Sequence, residues 1–139
     1  MAGLRVGLAL AAERVVELMS EVKYPYNINV ATMAIVEELL CQSIDDKVAE
    51  IKQQREKVQT ALLGSTVVKK IYPSDANFLL VEVVDADAMY DFLISRGIIV
   101  RNRNKVKGCE GCLRLTIGKP EENEALLKSI SEYEKSVVR

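Results

Sequence analysis

Asn77-Phe78-Leu79-Leu80-Val81-Glu82-Val83 is the most strand-like stretch of this chain. It is rich in branched and aromatic residues and too short for a typical helix. Val67-Val68-Lys69-Lys70-Ile71-Tyr72 precedes it and is also β-prone, with turn chemistry at Pro73-Ser74-Asp75 between the two. Downstream, Asp85 or Asp87 caps a helix whose apolar side is Met89, Phe92 and Leu93 and which ends at Gly97. Ile98-Ile99-Val100-Arg101 reads as a short strand, and the polar stretch 102–111 as a hairpin-like excursion. Leu113-Arg114-Leu115-Thr116-Ile117 alternates cleanly, with the three aliphatic side chains on one face and Arg114 and Thr116 on the other. Pro120 opens a last helix, with Glu121, Glu122 and Glu124 at its positive end and Leu126, Leu127 and Ile130 turned inward. Strand, strand, helix, strand, strand, helix predicts an α+β fold. Its economical packing is a two-layer sandwich, a mainly antiparallel sheet with helices on one face.

The other half is helical. Leu4, Leu8, Ala11, Val15, Leu18, Met19 and Val22 fall at helical spacing, so one helix can run from about residue 4. The compact apolar run at 4–10 is equally compatible with a buried strand ahead of a helix from Ala12. Pro25 ends that helix, Asn29 caps the next, and Ser43 or Asp45 caps a third that stops at Gly64. The third helix carries a stripe of Val48, Ile51, Arg55, Val58 and Leu62, and Glu50, Lys52, Arg55, Glu56 and Lys57 read as a solvated face. With 139 residues and no low-complexity linker, the chain is expected to form a single domain, 1–139.

Composition removes several classes of function. The net charge of -1 supplies no field for nucleic acid or an anionic membrane. No apolar stretch is long enough to span a bilayer and no signal peptide opens the sequence, so a cytoplasmic protein is expected. Histidine is absent, which excludes Ser-His-Asp and Cys-His catalysis and His-containing zinc sites within this chain. The three cysteines, Cys41, Cys109 and Cys112, read as free thiols. Cys109-Glu110-Gly111-Cys112 spells C-x-x-C, but it leads into a strand rather than opening a helix and lacks the further ligands of a zinc site, so the spacing reads as coincidence. No metal site is expected.

Candidate chemistry therefore falls to arginines. Arg5, Arg101 and Arg114 lie in or beside apolar runs, where a guanidinium wants an anionic partner. Each could also simply face solvent. Arg101 and Arg114 sit on successive strands around one loop and can converge on one ligand, whereas Arg103 falls in the loop.

Ala2-Gly3-Leu4-Arg5-Val6-Gly7, Pro25-Tyr26-Asn27, Ala76-Asn77-Phe78-Leu79, Gly97-Ile98-Ile99-Val100-Arg101 and Gly111-Cys112-Leu113-Arg114-Leu115-Thr116-Ile117-Gly118 follow one another. In that order they resemble the class I/II aminotransferases of the pyridoxal phosphate (PLP) fold-type I group, over essentially the whole chain. The resemblance implies that Arg5 holds the phosphate of PLP. It implies that Arg114 and Arg101 bind substrate: a carboxylate of a 2-oxo acid or the phosphate of a phosphorylated amino alcohol. It also implies a homodimer. The family's Schiff-base lysine, the aspartate on the pyridine nitrogen and the stacking aromatic all lie ahead of the segment matched by Ala2–Arg5. The sequence as given thus corresponds to the small C-terminal domain, with 1–10 a remnant of the large one. No catalytic residue is assigned, no PLP is expected on this chain alone, and activity alone is expected to be slight or absent. In that setting residues 4–10 lack their sheet and should merge into the next helix, fray or pair with another copy. Two readings from other classes compete: a small α+β module sensing a phosphorylated metabolite through its paired arginines, and a self-associating structural domain.

Overall fold

The computed structural model describes residues 2–137. Its elements are α1 (Glu13–Val22), α2 (Val30–Leu40), α3 (Asp45–Leu63), β1 (Val68–Ile71), β2 (Phe78–Val83), α4 (Ala86–Ser95), β3 (Arg101–Asn102), β4 (Cys112–Thr116) and α5 (Pro120–Val137). The chain divides into two compact units, Met1–Ile44 and Asp45–Arg139.

The second unit is the expected α+β sandwich. Its four strands run in the order β1-β2-β4-β3, and each neighbouring pair is antiparallel. The period of two is kept in β2: Leu79, Val81 and Val83 are buried, while Phe78, Leu80 and Glu82 are only partly covered. Leu115 pairs with Leu79 and Leu113 with Val81, so the aliphatic sets of both strands share one face. There they meet Val58 and Leu62 of α3, Met89 and Leu93 of α4, and Leu126, Ile130 and Tyr133 of α5 in one core.

Local chemistry sets the element ends. Asp85 accepts the Ala88 N–H at 2.9 Å, so it, rather than Asp87, is the N-cap of α4. At the other end Gly97, at φ 75°, donates to the Ile94 carbonyl, and Ile98 donates to that of Leu93. This is a Schellman closure. It uses the Ile98 N–H, and the strand expected over 98–101 is reduced to Arg101–Asn102. At the start of α5, Pro120 occupies the first helical position and Glu122 reaches back to the Lys119 N–H at 2.8 Å. Asn123, 3% exposed, receives the Gly118 N–H at 2.9 Å and donates to Gly118 O at 3.0 Å and Gln54 Oε1 at 3.1 Å. One buried amide thus ties the β4–α5 turn to α3. Glu134 makes a second tie, accepting the Thr66 N–H at 2.6 Å and the Thr66 hydroxyl. Arg55 does not belong wholly to a solvated face, since it is half-buried and donates to the Ala76 carbonyl at 2.8 Å.

The first unit departs from both expectations for its opening segment. A 3-10 turn covers Ala2–Leu4, Arg5 takes a left-handed φ of 58°, and residues 6–12 are neither helix nor strand. No strand pairs with them among the described residues, and α1 starts only at Glu13, behind an extended Ala12. Gly3 and Gly7 weaken a helix here. A strand would need a ladder partner. α2 is capped as expected, with Asn29 accepting the Thr32 N–H at 2.8 Å. Neither α1 nor α2 contains a buried residue.

Asn123→Ala leaves the Gly118 amide without its acceptor and Gln54 without its donor. A loss of about 2 kcal/mol in unfolding free energy is expected by denaturant titration.

Candidate functional site

The face of the sheet turned away from the helices carries the candidate arginines. Antiparallel register sets Arg101 of β3 directly opposite Arg114 of β4, and Leu80 of β2 opposite Arg114 on its other side. Residues directly across a ladder point to the same face, with Cβ atoms about 5 Å apart. The two arginines read from the sequence as convergent are therefore neighbours. Like charges so placed repel. Arg114 is half-buried, with its guanidinium carbon 5.0 Å from the centroid of the Phe78 ring, a cation–π contact. Its Nε is buried and has no hydrogen-bond partner. A buried donor left unpaired costs free energy. An anion seated between Arg101 and Arg114 would neutralise the opposed charges.

Arg101 is exposed at the outer strand, and Arg103 lies just beyond β3, donating its N–H to the Cys112 carbonyl at 2.9 Å. Arg5, in the first unit, is exposed. Tyr26 is fully exposed with φ 59°, so it turns the chain between α1 and α2.

The loop between the two arginines is held by Asp87, whose place in the sequence suggests only a helix cap. Asp87 accepts Asn102 Nδ2 at 2.6 Å on one oxygen and Asn104 Nδ2 at 2.9 Å on the other. Asn102 Oδ1 accepts the Asn104 N–H at 2.9 Å, and Asn104 Oδ1 accepts the Gly111 N–H at 2.8 Å. The first turn of α4 thus clamps both ends of the loop. The two amide donors hold the Asp87 carboxyl below its ordinary range. Beyond Arg114 on the same face, Glu82 lies opposite Cys112 and accepts from the Tyr72 hydroxyl at 3.5 Å, while Lys70 covers the Tyr72 ring at 4.5 Å. Partial burial, with Cys112 and Glu82 beside it, pushes the Tyr72 hydroxyl up. No sequence signal marks these groups, because contacts between residues 87, 102 and 104 exist only after the sheet forms.

A cavity of about 490 Å³ opens elsewhere, beside the end of α4 and the start of α5, lined by Arg96, Ile99, Thr116, Gly118 and Glu122. It includes neither Arg101 nor Arg114, which lie on the open face of the sheet. Among the described residues no three His, Cys, Asp or Glu side chains gather to hold a metal ion. No helix there is long and apolar enough to cross a membrane.

An open α+β face with two opposed arginines is a feature that known relatives can place in a family. Residues 1–130 match the family described as aminotransferase class I and II, and the chain belongs to that family. It is similar to the histidinol-phosphate aminotransferase of Parabacteroides distasonis, 44% identical over 131 residues that make up 93% of this chain and 38% of the relative. A second histidinol-phosphate aminotransferase, from Christiangramia forsetii, is 42% identical over 96% of the chain and 39% of its own length. The chain thus spans under two-fifths of the curated relatives it matches. Among solved structures, the histidinol-phosphate aminotransferase of Clostridium acetobutylicum superposes with a TM-score of 0.79 at 22% identity, covering 89% of this chain and 39% of that one. The L-threonine-O-3-phosphate decarboxylase of Porphyromonas gingivalis does so with a TM-score of 0.73 at 16% identity, covering 91% and 40%. At these identities the two structures establish the shared fold.

Asp87→Ala is expected to release the loop. Hydrogen exchange at the Gly111 amide should accelerate several-fold, while amides of β2 keep their protection. The pH dependence has the same sign. A carboxyl whose folded value is lowered stabilises above its ordinary range and loses that contribution as pH falls through the lowered value. Protection at Gly111 should therefore hold near neutrality and decline below about pH 4.

Proposed function

We propose that this chain supplies the substrate-anion half of a PLP-dependent transamination site, in an enzyme that moves an amino group between L-histidinol phosphate and 2-oxoglutarate in histidine biosynthesis. The single observation that carries the reading is the unpartnered, buried Nε of Arg114 with Arg101 directly across the ladder. The names of the relatives supply histidinol phosphate, and the family resemblance supplies the 2-oxo acid.

In this reading Arg114 grips the α-carboxylate of the 2-oxo acid through two parallel hydrogen bonds, and the phosphate of the amino alcohol takes the same place. Arg101 supplies the second fork that a dianionic phosphate calls for. Phe78 keeps the Arg114 guanidinium aimed by holding its flat face. For the cofactor the fit rests on donor chemistry alone. Arg5 is an exposed guanidinium suited to a phosphate, and it is the residue we assign to PLP. PLP, when bound, supplies the electron sink for amino transfer. The reading also carries a cytoplasmic homodimer as the form of the whole enzyme.

Calorimetry with histidinol phosphate tests the anion half directly. The chain should bind it, Arg114→Ala should abolish the heat, and Arg101→Ala should weaken binding about tenfold, the worth of one charge-assisted hydrogen bond. Arg114→Lys should rescue poorly, since a point charge cannot replace the fork. Unchanged binding in Arg114→Ala overturns the assignment. A second test replaces the matched region of the Parabacteroides distasonis relative with this chain. The hybrid should turn over glutamate and should lose about 100-fold on Arg114→Ala. Binding without any turnover in a folded hybrid would instead favour a metabolite-sensing module.

A further inference from the structure

We propose that Cys109 and Cys112 form a reversible disulfide within the turn that leads into β4, a modification site two residues from Arg114.

Three consecutive turns build the loop. Val106 donates to the Arg103 carbonyl at 2.8 Å, Cys109 to that of Val106 at 2.9 Å, and Cys112 to that of Cys109 at 3.0 Å. Gly111, at φ 71°, takes the third position of the last turn, the signature of type II. Such a turn brings its first and fourth Cα atoms within about 7 Å. Disulfides need a Cα separation of about 4.4–6.8 Å. The sequence spacing alone does not give this closure; the glycine and the hydrogen bond do. The turn is fixed independently of the thiols, because Gly111 donates to Asn104 Oδ1 at 2.8 Å and its carbonyl accepts the Val83 N–H at 2.9 Å. The Cys112 sulfur curls back over the turn, 3.6 Å from the Glu110 carbonyl. The two thiols also sense each other: after burial, Cys109 is the next strongest influence pushing the Cys112 thiol up.

Exposure gives the two thiols different parts. Cys109 is half-exposed and Cys112 is buried at 0%. Exchange with a small disulfide such as oxidised glutathione begins at Cys109. Its thiolate attacks one glutathione sulfur, forms the mixed disulfide and expels one glutathione thiolate. Cys112 then gives up its proton, attacks the Cys109 sulfur and expels the second. Two protein thiols are oxidised and one glutathione disulfide is reduced to two glutathiones, so electrons and protons balance. The product closes a small ring at the base of the loop that separates Arg101 from Arg114. Nothing in this step depends on the transamination reading.

The test uses the full chain carrying Cys41→Ser, equilibrated in glutathione buffers of rising oxidised fraction, quenched in acid, denatured, alkylated and weighed intact. The reduced chain should take two labels and the oxidised chain none, as a monomer without a glutathione adduct. Cys112→Ser, or Cys112→Ala where serine is poorly tolerated, should stop at a single adduct on Cys109. Cys109→Ser should keep Cys112 unmodified at the same poise. Two labels persisting in fully oxidised buffer overturn the proposal. So does a wild-type pair that stops at the mixed disulfide, or one that links two chains.

Discussion

The register between β2 and β4 is the constraint on which the rest depends. Leu79 faces Leu115 and Leu80 faces Arg114, so a single alternation sends the aliphatic side chains to the helices and the guanidinium to the open face. A slip of one residue would bury Arg114 in the core and expose Leu113 and Leu115. The hydrophobic drive that builds the core therefore also sends Arg114 to the open face, where Phe78 meets its guanidinium. The same register sets the β3 partner, since Arg101 can stand across from Arg114 only if β4 presents its polar side.

Much of this was legible from residues 77–83 and 113–117, because a strand covered on one face carries its burial in its own alternation. The helix ends at Asp85, Gly97 and Pro120 were legible for a similar reason: each depends on chemistry within a few residues. Ile98–Val100 misled. Branched residues favour a strand, but the Ile98 N–H is taken by the helix closure before it, and the tertiary demand outranks the propensity. Residues 4–10 were ambiguous on periodicity and adopt neither α-helix nor strand: Gly3 and Gly7 weaken the helix, and no strand pairs with the segment among the described residues.

The site was legible only in part. Arg101 and Arg114 could be paired from strand order, since a loop joining adjacent strands returns the chain to its own neighbour. The stacking of Phe78 beneath Arg114 and the Asp87 clamp could not, because they join residues 36 and 15 positions apart through a fold that must already exist. The C-x-x-C spacing held no sign of the turn that its residues form. Its residues are ordinary until Gly111 adopts its left-handed conformation, and only then do the two cysteines close one turn.

Two opposed guanidiniums are a poor arrangement for stability and a useful one for recognition. In the proposed reading, an anion would remove the repulsion that weakens the β3–β4 pair, so part of its binding free energy would come from relief of strain already present. That advantage survives only if the arginines cannot simply move apart. The two-residue length of β3 leaves little ladder to resist separation. Asp87, Asn102, Asn104 and the three linked turns provide the resistance instead. A polar network of this kind suits the task better than an apolar plug, because its directional bonds fix the loop in position while leaving the sheet face open to a charged ligand. The loop is thus the mechanical counterpart of the β2–β4 register: one aims Arg114, and the other holds Arg101 against it.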